Sequence, residues 1–274
     1  MQYDPIKRSL GKAFNRTPWL RKLFYRLLDL LLLRSWHIKR QLLNWAAQHA
    51  GDRQVLDAGS GFGQYSYFMA RKFPQWKITG LDVKEEQIID CNQFFQQIGL
   101  HQVRFEVADL TELSFDNQFD MILCVDVMEH IEDDRKVLQN YFHALKPGAM
   151  LLISTPSDQG GSDVHGQHES DENAAIGFID EHVRDGYAID DLKEKLLSAG
   201  FKSVELKYQY GKPGKLSWKL SMKLPIILLN ISKWFFILLP FYYLIVFPFC
   251  LLLNLADLKL VHRSGTGIIA KAYK

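Results

Sequence analysis

The chain has 274 residues, 47% of them apolar, and a formal net charge of +2. That is material for one enlarged domain, or for one domain with appendages. Three cysteines, Cys91, Cys124 and Cys250, are too few, odd in number and without metal-ligand spacing, so a disulfide framework is excluded and a reducing cytosol is expected.

Charge is spread unevenly. Residues 1–40 hold ten Lys and Arg against two acids, residues 202–233 hold seven Lys against Glu205, and 158–195 is rich in Asp and Glu. Within 18–34 the apolar residues Leu20, Leu23, Phe24, Leu27, Leu30 and Leu31 recur at helical spacing, with Arg21, Lys22, Arg26 and Asp29 opposite. Such a basic amphipathic helix, opened by Trp19, reads as a membrane-surface element or as a lid packed over the fold. The run 27–33 is too short, and too interrupted by Asp29, for a secretory signal. A further helix over 38–50 leads to the first strand.

Residues 55–66, Val-Leu-Asp-Ala-Gly-Ser-Gly-Phe-Gly-Gln-Tyr-Ser, join an apolar strand to a glycine turn. Glycine lets a backbone press against a ligand at the carboxyl end of a parallel strand. A second strand over 77–83 ends in Asp82, 21 residues after Gly61, where a carboxylate can accept from two ribose hydroxyls. Together they predict a nucleoside-containing cofactor. A dinucleotide fits poorly: the third glycine of its fingerprint is replaced by Gln64, and Asp57 before the turn would repel a pyrophosphate. That carboxylate suits a ligand carrying ammonium and sulfonium charges.

Strands then alternate with helical stretches to residue 155, the rhythm of a doubly wound parallel sheet. The remaining landmarks are Phe-Glu-Val-Ala-Asp-Leu at 105–110, Phe-Asp-Met-Ile-Leu-Cys-Val-Asp-Val-Met-Glu-His at 119–130, Leu-Lys-Pro-Gly at 145–148, His182, Arg184, and Gly200-Phe201. Residues 156–182 are rich in Gly, Ser, Asp and His and predict a loop over the site. Final strands are expected over 203–208 and 267–273.

Between those strands, residues 226–256 contain Lys233 as their one charge. A straight helix of that length would reach roughly 46 Å, more than the about 30 Å of a hydrocarbon core. Two full crossings need about 40 apolar residues, more than the run supplies. One crossing would strand the last two β-segments on opposite sides of the bilayer. Pro240 and Pro248 are expected to interrupt helices. A bent or re-entrant hairpin entering one leaflet is the remaining geometry, and a soluble hairpin packed on the sheet or in a dimer is its competitor. Lys212, Lys215, Lys219 and Lys223 could meet anionic headgroups.

These five landmarks in order resemble the class I S-adenosylmethionine-dependent methyltransferases, over roughly residues 45–210 and again near 265. The resemblance implies an α/β fold: a doubly wound, seven-stranded Rossmann-like sheet of order 3-2-1-4-5-7-6. Residues 1–50 would be basic amphipathic helices, 51–210 the cofactor-binding core, 211–262 an apolar membrane-associating insertion, and 263–274 the last core strand. It further implies that Asp57, Gly59, Ser60 and Gly61 meet the methionyl end of S-adenosylmethionine. Asp82 would hold the ribose beside Val83, Asp109 and Leu110 the adenine, and the Val125 carbonyl the ammonium.

Methyl transfer is an in-line displacement at an already activated carbon, so positioning dominates and a base serves only an acceptor that must lose a proton. His130, with Glu129, is the expected base; the pair could equally cap the next helix. Asp126-x-x-Glu129-His130 is similar to the Glu-x-x-Glu-His metal site of quinone-biosynthesis O-methyltransferases, with Asp in the first place, so a divalent metal is possible but not favoured. His165-x-x-His168-Glu169 is a weaker metal alternative, and Arg184 could clamp an anion or make a loop salt bridge.

The expected function is a peripheral or monotopic enzyme on the cytoplasmic membrane face, methylating oxygen or carbon of a lipophilic small molecule: a quinone precursor, an isoprenoid or a lipid-linked intermediate. Its expected partners are that substrate and anionic lipid. Alternatives are a soluble metabolite or protein as acceptor with the apolar run serving dimerisation, or a non-catalytic membrane-anchored scaffold. Nucleic acid is not expected, because no Asn-Pro-Pro-Tyr-like base-flipping loop follows the fourth strand.

Overall fold

Strand residues of this chain alternate between two interiors, and that alternation defines the architecture. Val55, Met121, Leu123, Met150 and Leu152 face one side of a sheet, while Leu56, Ala58, Ile122, Cys124, Leu151 and Ile153 face the other. Both sets are buried, so both faces must be covered by helices. The computed structural model describes residues 17–160, 183–232 and 234–274.

Seven strands form one sheet in the order β3-β2-β1-β4-β5-β7-β6. They are β1 (Gln54–Ala58), β2 (Lys77–Asp82), β3 (Val103–Val107), β4 (Phe119–Val125), β5 (Leu145–Pro156), β6 (Ser203–Gln209) and β7 (Gly267–Tyr273). β1 to β5 pair in parallel, and β7 lies antiparallel between β5 and β6. The doubly wound expectation and its strand order hold.

Before the sheet come α1 (Pro18–Leu31), capped by Thr17, and α2 (Leu33–Gln48), separated by the extended Leu32. The predicted break near 34–38 therefore falls earlier. On the sheet lie α3 (Gln64–Lys72), α4 (Glu85–Gln97), α5 (Asp134–Ala144) and α6 (Ile189–Ser198). Ile38, Leu42 and Trp45 of α2 join Met69 of α3 and Phe94 and Phe95 of α4 over one face. Val137, Leu138 and Tyr141 of α5 join Leu192 and Leu196 of α6 over the other.

α1 corrects the simple amphipathic reading. Arg21, expected on the solvated face, is buried together with Tyr25. Its guanidinium donates to the Phe62 carbonyl (2.9 Å), the Asp90 carbonyl (3.0 Å) and Cys91 Sγ (3.0 Å). Tyr25 Oη also donates to the Phe62 carbonyl. The helix thus clasps the far end of the glycine turn through polar atoms, while Trp19, Leu27 and Leu30 face outward.

From the end of β6 the chain leaves the sheet as α7 (Lys212–Trp218), a π turn (Lys219–Lys223) and α8 (Leu224–Ile231), and returns as α9 (Phe235–Lys259). Contrary to expectation, α9 runs unbroken through Pro240 and Pro248. Both prolines sit on its outward side, and the residues between them are tied to the outgoing arm. Tyr242 Oη donates to the Leu220 carbonyl (2.6 Å) and Tyr243 Oη to the Ser221 carbonyl (2.7 Å). Pro225 has no N–H for the Ser221 carbonyl four residues back, so the π turn and a tyrosine hydroxyl take its place. Only 6% of the most apolar 18-residue window of α9 is buried. The hairpin is fixed at its base, where Asp257 accepts from His37 Nε2 (3.0 Å), Gly214 N (3.0 Å) and Tyr210 N (3.2 Å).

Candidate functional site

The carboxyl ends of β1, β2, β4 and β5 meet the start of the hairpin at one edge of the molecule. β1 ends in a turn whose glycines adopt left-handed backbone: φ is +74° at Gly59, +50° at Gly61 and +73° at Gly63. A Cβ at Gly59 would overlap Val127 Cγ2, whereas one at Gly61 would meet open space. The first glycine is demanded by packing, and the second keeps a surface clear for a ligand.

The turn's amides are already used. Gly59 N and Ser60 N both donate to the Leu81 carbonyl (2.8 Å each), and Gly61 N donates to Asp82 Oδ2 (2.9 Å). Asp82 Oδ1 accepts from Lys84 N at 3.0 Å. What the turn offers a cofactor is accordingly a smooth floor and the Ser60 hydroxyl, which is buried with no partner. Asp57, buried behind the turn, accepts from Ser66 Oγ (2.6 Å), and burial pushes its carboxyl up to about 6. Beside Asp82, Val83 is 55% exposed and supplies an apolar platform.

Asp109 follows β3 on the exposed rim and caps a short 3-10 turn: its Oδ1 accepts from Thr111 N and Thr111 Oγ1, both at 2.8 Å. Those bonds hold its carboxyl below the usual range. Leu110 beside it is buried. Val125 ends β4, and Asp126 follows with a left-handed φ of +51°, strained for a non-glycine residue.

Glu129 and His130 diverge. Glu129 is buried, accepts from Thr155 Oγ1 (3.1 Å), and is raised by burial, whereas His130 is exposed. Asp126 pairs instead with Arg34. Among the described residues, no three His, Cys, Asp or Glu side chains are grouped so as to hold a metal ion. His165, His168, Glu169 and His182 lie outside the described residues. Arg184 makes structural bonds: it pairs with Asp134 (3.0 Å) and donates to the carbonyls of Met128 (3.0 Å) and Glu132 (3.1 Å).

Three residues escaped the sequence reading. Arg34 enters from the start of α2, Tyr65 from α3, and Tyr210, with φ +59°, from the bend after β6. Both phenols lie close enough to Arg34 for its charge to act on them. Arg34 Nε and both hydroxyls are buried without a hydrogen-bond partner. Unpaired buried donors are costly, and Ser60 Oγ in the glycine turn is a fourth. The donor set, the acid Asp57 and the Val83 platform fit a ligand with an α-amino acid end and a nucleoside end. A left-handed backbone at residues 126 and 210 was the one local signal of the missing half, and it is invisible in sequence. The shallow groove between α6 and β6, lined by Ile189, Lys193 and Val204, lies on the sheet's outer edge and takes no part.

Residues 49–200 match the family model described as a methyltransferase domain. Phosphoethanolamine N-methyltransferase 1 of Arabidopsis thaliana is 38% identical over 104 residues, 37% of this chain and 21% of that protein. Ubiquinone biosynthesis O-methyltransferase of Erwinia tasmaniensis is 32% identical over 118 residues, 41% of this chain and 47% of that protein. The chain thus spans less than half the length of either relative. Among solved structures, Haemonchus contortus phosphoethanolamine N-methyltransferase 2 in complex with S-adenosyl-L-methionine has a TM-score of 0.57 at 18% identity, covering 92% of this chain and 60% of that one. The [4+2]-cyclase SpnF has a TM-score of 0.55 at 20% identity, covering 85% of this chain and 80% of that one. At such identities the structural likeness speaks for the fold alone, and the cyclase shows that this fold also carries other chemistry.

Proposed function

The chain belongs to the methyltransferase-domain family, and from that premise we propose that it transfers a methyl group from S-adenosylmethionine to a lipophilic small molecule at a membrane surface. Bound at the glycine turn, S-adenosylmethionine supplies a methyl carbon activated by sulfonium. Asp82, held by two backbone amides, faces the ribose, and Val83 and Asp109 flank the adenine. Ser60, Arg34 and Tyr65 receive the methionyl carboxylate. The Val125 carbonyl and the Asp57 charge lie on the ammonium side. Glu129, buried next to Thr155, accepts a proton from the acceptor, and the exposed His130 passes it to solvent.

One observation carries the membrane half: an almost wholly uncovered apolar helix is the returning arm of a hairpin that leaves the sheet at the end of β6 and rejoins it at the start of β7, where Gln209 pairs with Gly267. Phe236, Phe241, Leu244, Ile245 and Phe249 all face outward. Lys219 and Lys223 limit how far the outgoing arm can sink. The eight residues of α8 beyond them rise roughly 12 Å, under half of the about 30 Å core. Such a hairpin sets the site's mouth against the cytoplasmic leaflet, whose anionic lipids attract the basic arm. The acceptor is a quinone precursor, isoprenoid or lipid-linked molecule entering from that leaflet.

Cosedimentation with phosphatidylserine-containing vesicles tests this directly. The intact chain should pellet with vesicles and stay soluble without them in mild detergent. Recovery in the supernatant as a detergent-free dimer would assign the apolar face to a second copy. Titration calorimetry should detect S-adenosylmethionine binding that Asp82→Ala abolishes; no binding to either protein would leave only a membrane-anchored scaffold.

A further inference from the structure

Tyr210 is held more firmly than a residue after an edge strand needs to be. Its N–H donates to Asp257 Oδ2 (3.2 Å), its carbonyl accepts from Thr266 N (3.3 Å), and its ring packs so closely on Gly267 that a Cβ there would lie 2.5 Å from Cε2. His37 meets the ring edge-on at 5.5 Å. These contacts maintain the left-handed backbone, whose strain other structure must hold in place. All this places one buried phenol hydroxyl, near Ser154 but in no well-formed hydrogen bond, at the tips of β5 and β6.

Gln209 stands beside it, 1% exposed. Its amide nitrogen donates to Ser154 Oγ (2.7 Å) and to the Ile268 carbonyl (3.2 Å), which fixes the amide, yet its Oε1 is left buried with no donor. A hydroxyl donor and an amide acceptor are thus both unsatisfied, next to each other in sequence. Glu129 accepts from Thr155, the next residue of β5, and like Tyr210 it feels the charge of Arg34. The base of the hairpin, through Asp257, closes the same corner.

Resting on the methyltransferase reading, we propose that Tyr210 and Gln209 form the polar cradle of the methyl acceptor, and that the acceptor reacts through an oxygen, as a phenolic or enolic hydroxyl on a hydrocarbon-tailed molecule. The chemistry of the cradle selects the class. A hydroxyl both donates and accepts, matching Gln209 Oε1 and Tyr210 Oη. A phosphate would call for several cations, and the described cluster has Arg34 alone, already paired with Asp126. An ammonium donates only and would leave the Tyr210 hydroxyl proton without an acceptor. In the reaction the acceptor oxygen forms a bond to the methyl carbon as the carbon–sulfur bond breaks. The bond pair returns to sulfur as a neutral thioether, and the hydroxyl proton leaves its hydrogen bond to Gln209 Oε1 for the Glu129 carboxylate. Tyr210 donates to the same oxygen and keeps its attacking lone pair aligned.

The test uses the full-length chain, methyl-tritiated S-adenosylmethionine and a total lipid extract of the producing cells in anionic nanodiscs, with chloroform-soluble label as the readout. Hot hydriodic acid releases methyl iodide from O-methyl groups and leaves C-methyl groups in place. With wild type, the label should be released, and Tyr210→Phe should lower transfer at least tenfold while calorimetric affinity for S-adenosylmethionine stays within twofold. A pH–rate profile should keep its acid limb in Tyr210→Phe and lose it in Glu129→Gln. Label that resists release, unchanged transfer by Tyr210→Phe, or an equal loss of cofactor affinity would each overturn the proposal; the last would make Tyr210 part of the methionyl pocket. No transfer by wild type that still binds the cofactor would defeat the methyltransferase reading itself.

Discussion

The two ends of the sheet solve different problems. At β1 to β3 nearly every polar group of the turn is satisfied by the chain: three amides are taken by Leu81 and Asp82, and Asp57 by Ser66. At β5 to β6 the chain leaves Tyr210 Oη and Gln209 Oε1 unpaired and extends an apolar arm with almost nothing packed on it. A site for one constant ligand can have its turn finished in advance, with Ser60 Oγ, Arg34 Nε and Tyr65 Oη left for the ligand's carboxylate. A site for an acceptor arriving from lipid must keep polar atoms and apolar surface waiting. The expected experiments separate those two halves.

The largest effect belongs to the arm. Phe241 and Leu244 are 65% and 76% exposed, so Phe241→Glu/Leu244→Glu removes little packing from the soluble fold. Each side chain that would enter lipid is worth about 1.5–3 kcal/mol of apolar transfer. The pair should lower vesicle partitioning roughly 100-fold or more by that measure, with cofactor affinity unchanged. A parallel loss of cofactor affinity would show the arm to be part of the core.

At the other end the strongest single change is Gly59→Ala. The left-handed backbone costs an alanine about 1–2 kcal/mol, and its Cβ overlaps Val127 Cγ2. Gly61→Ala carries the backbone cost with open space around its Cβ. Thermal melts and calorimetry should rank the pair: Gly59→Ala lowers Tm more, because Val127 must move, whereas Gly61→Ala acts on S-adenosylmethionine affinity with a smaller change in Tm. Reversed order would mean that the turn is shaped by its ligand rather than by its own packing.

The same division explains what could be read from sequence. Strand alternation, the glycine turn and the spacing to Asp82 are local, and they sufficed for the sheet order and the cofactor end. The acceptor end is built from contacts between distant residues. Arg34 meets Asp126, and His37 meets Asp257 across 220 positions; neither pairing leaves a periodic trace. Arg21 was misread because helical spacing places it among cations, and only the fold reveals two carbonyls and a thiol around its guanidinium. The prolines of α9 were misread because each removes one hydrogen bond without ending a helix whose neighbouring turns are held, and Tyr242 and Tyr243, between the two prolines, are anchored to the outgoing arm.

A pH series probes the finished half. Asp57 rises to about 6 from 3.8 because it is buried. A raised folded value means that the folded chain keeps a proton which the unfolded chain gives up between about pH 4 and 6. The apoprotein therefore holds this contribution fully below pH 4 and loses it as pH climbs through 6, by about 3 kcal/mol. Binding of a ligand ammonium runs the other way, since it needs the ionised carboxylate. S-adenosylmethionine affinity should increase from pH 5 to 7 while apoprotein Tm falls, and Asp57→Asn should flatten both trends.

Asp109 should give the smallest response, and its size is informative. The carboxylate is exposed on the rim, and one oxygen is engaged by both donors of Thr111. Loss of such a cap costs about 1 kcal/mol, so Asp109→Ala should lower Tm by only a few degrees. An acid serving as cap alone would affect cofactor binding only through this local fraying, within about twofold. If it also accepts from the adenine amine, calorimetry should record a five- to tenfold weaker S-adenosylmethionine, within the about 0.5–1.5 kcal/mol of one net hydrogen bond at an exposed site. Asp109→Asn keeps an acceptor for Thr111 and for an amine but removes the charge, so it should restore the cap and recover part of the affinity. Recovery of Tm without any recovery of affinity would assign the adenine contact to the charge; a binding constant unmoved by either change would leave Asp109 as a cap and make Val83 and Leu110 the whole of the adenine site.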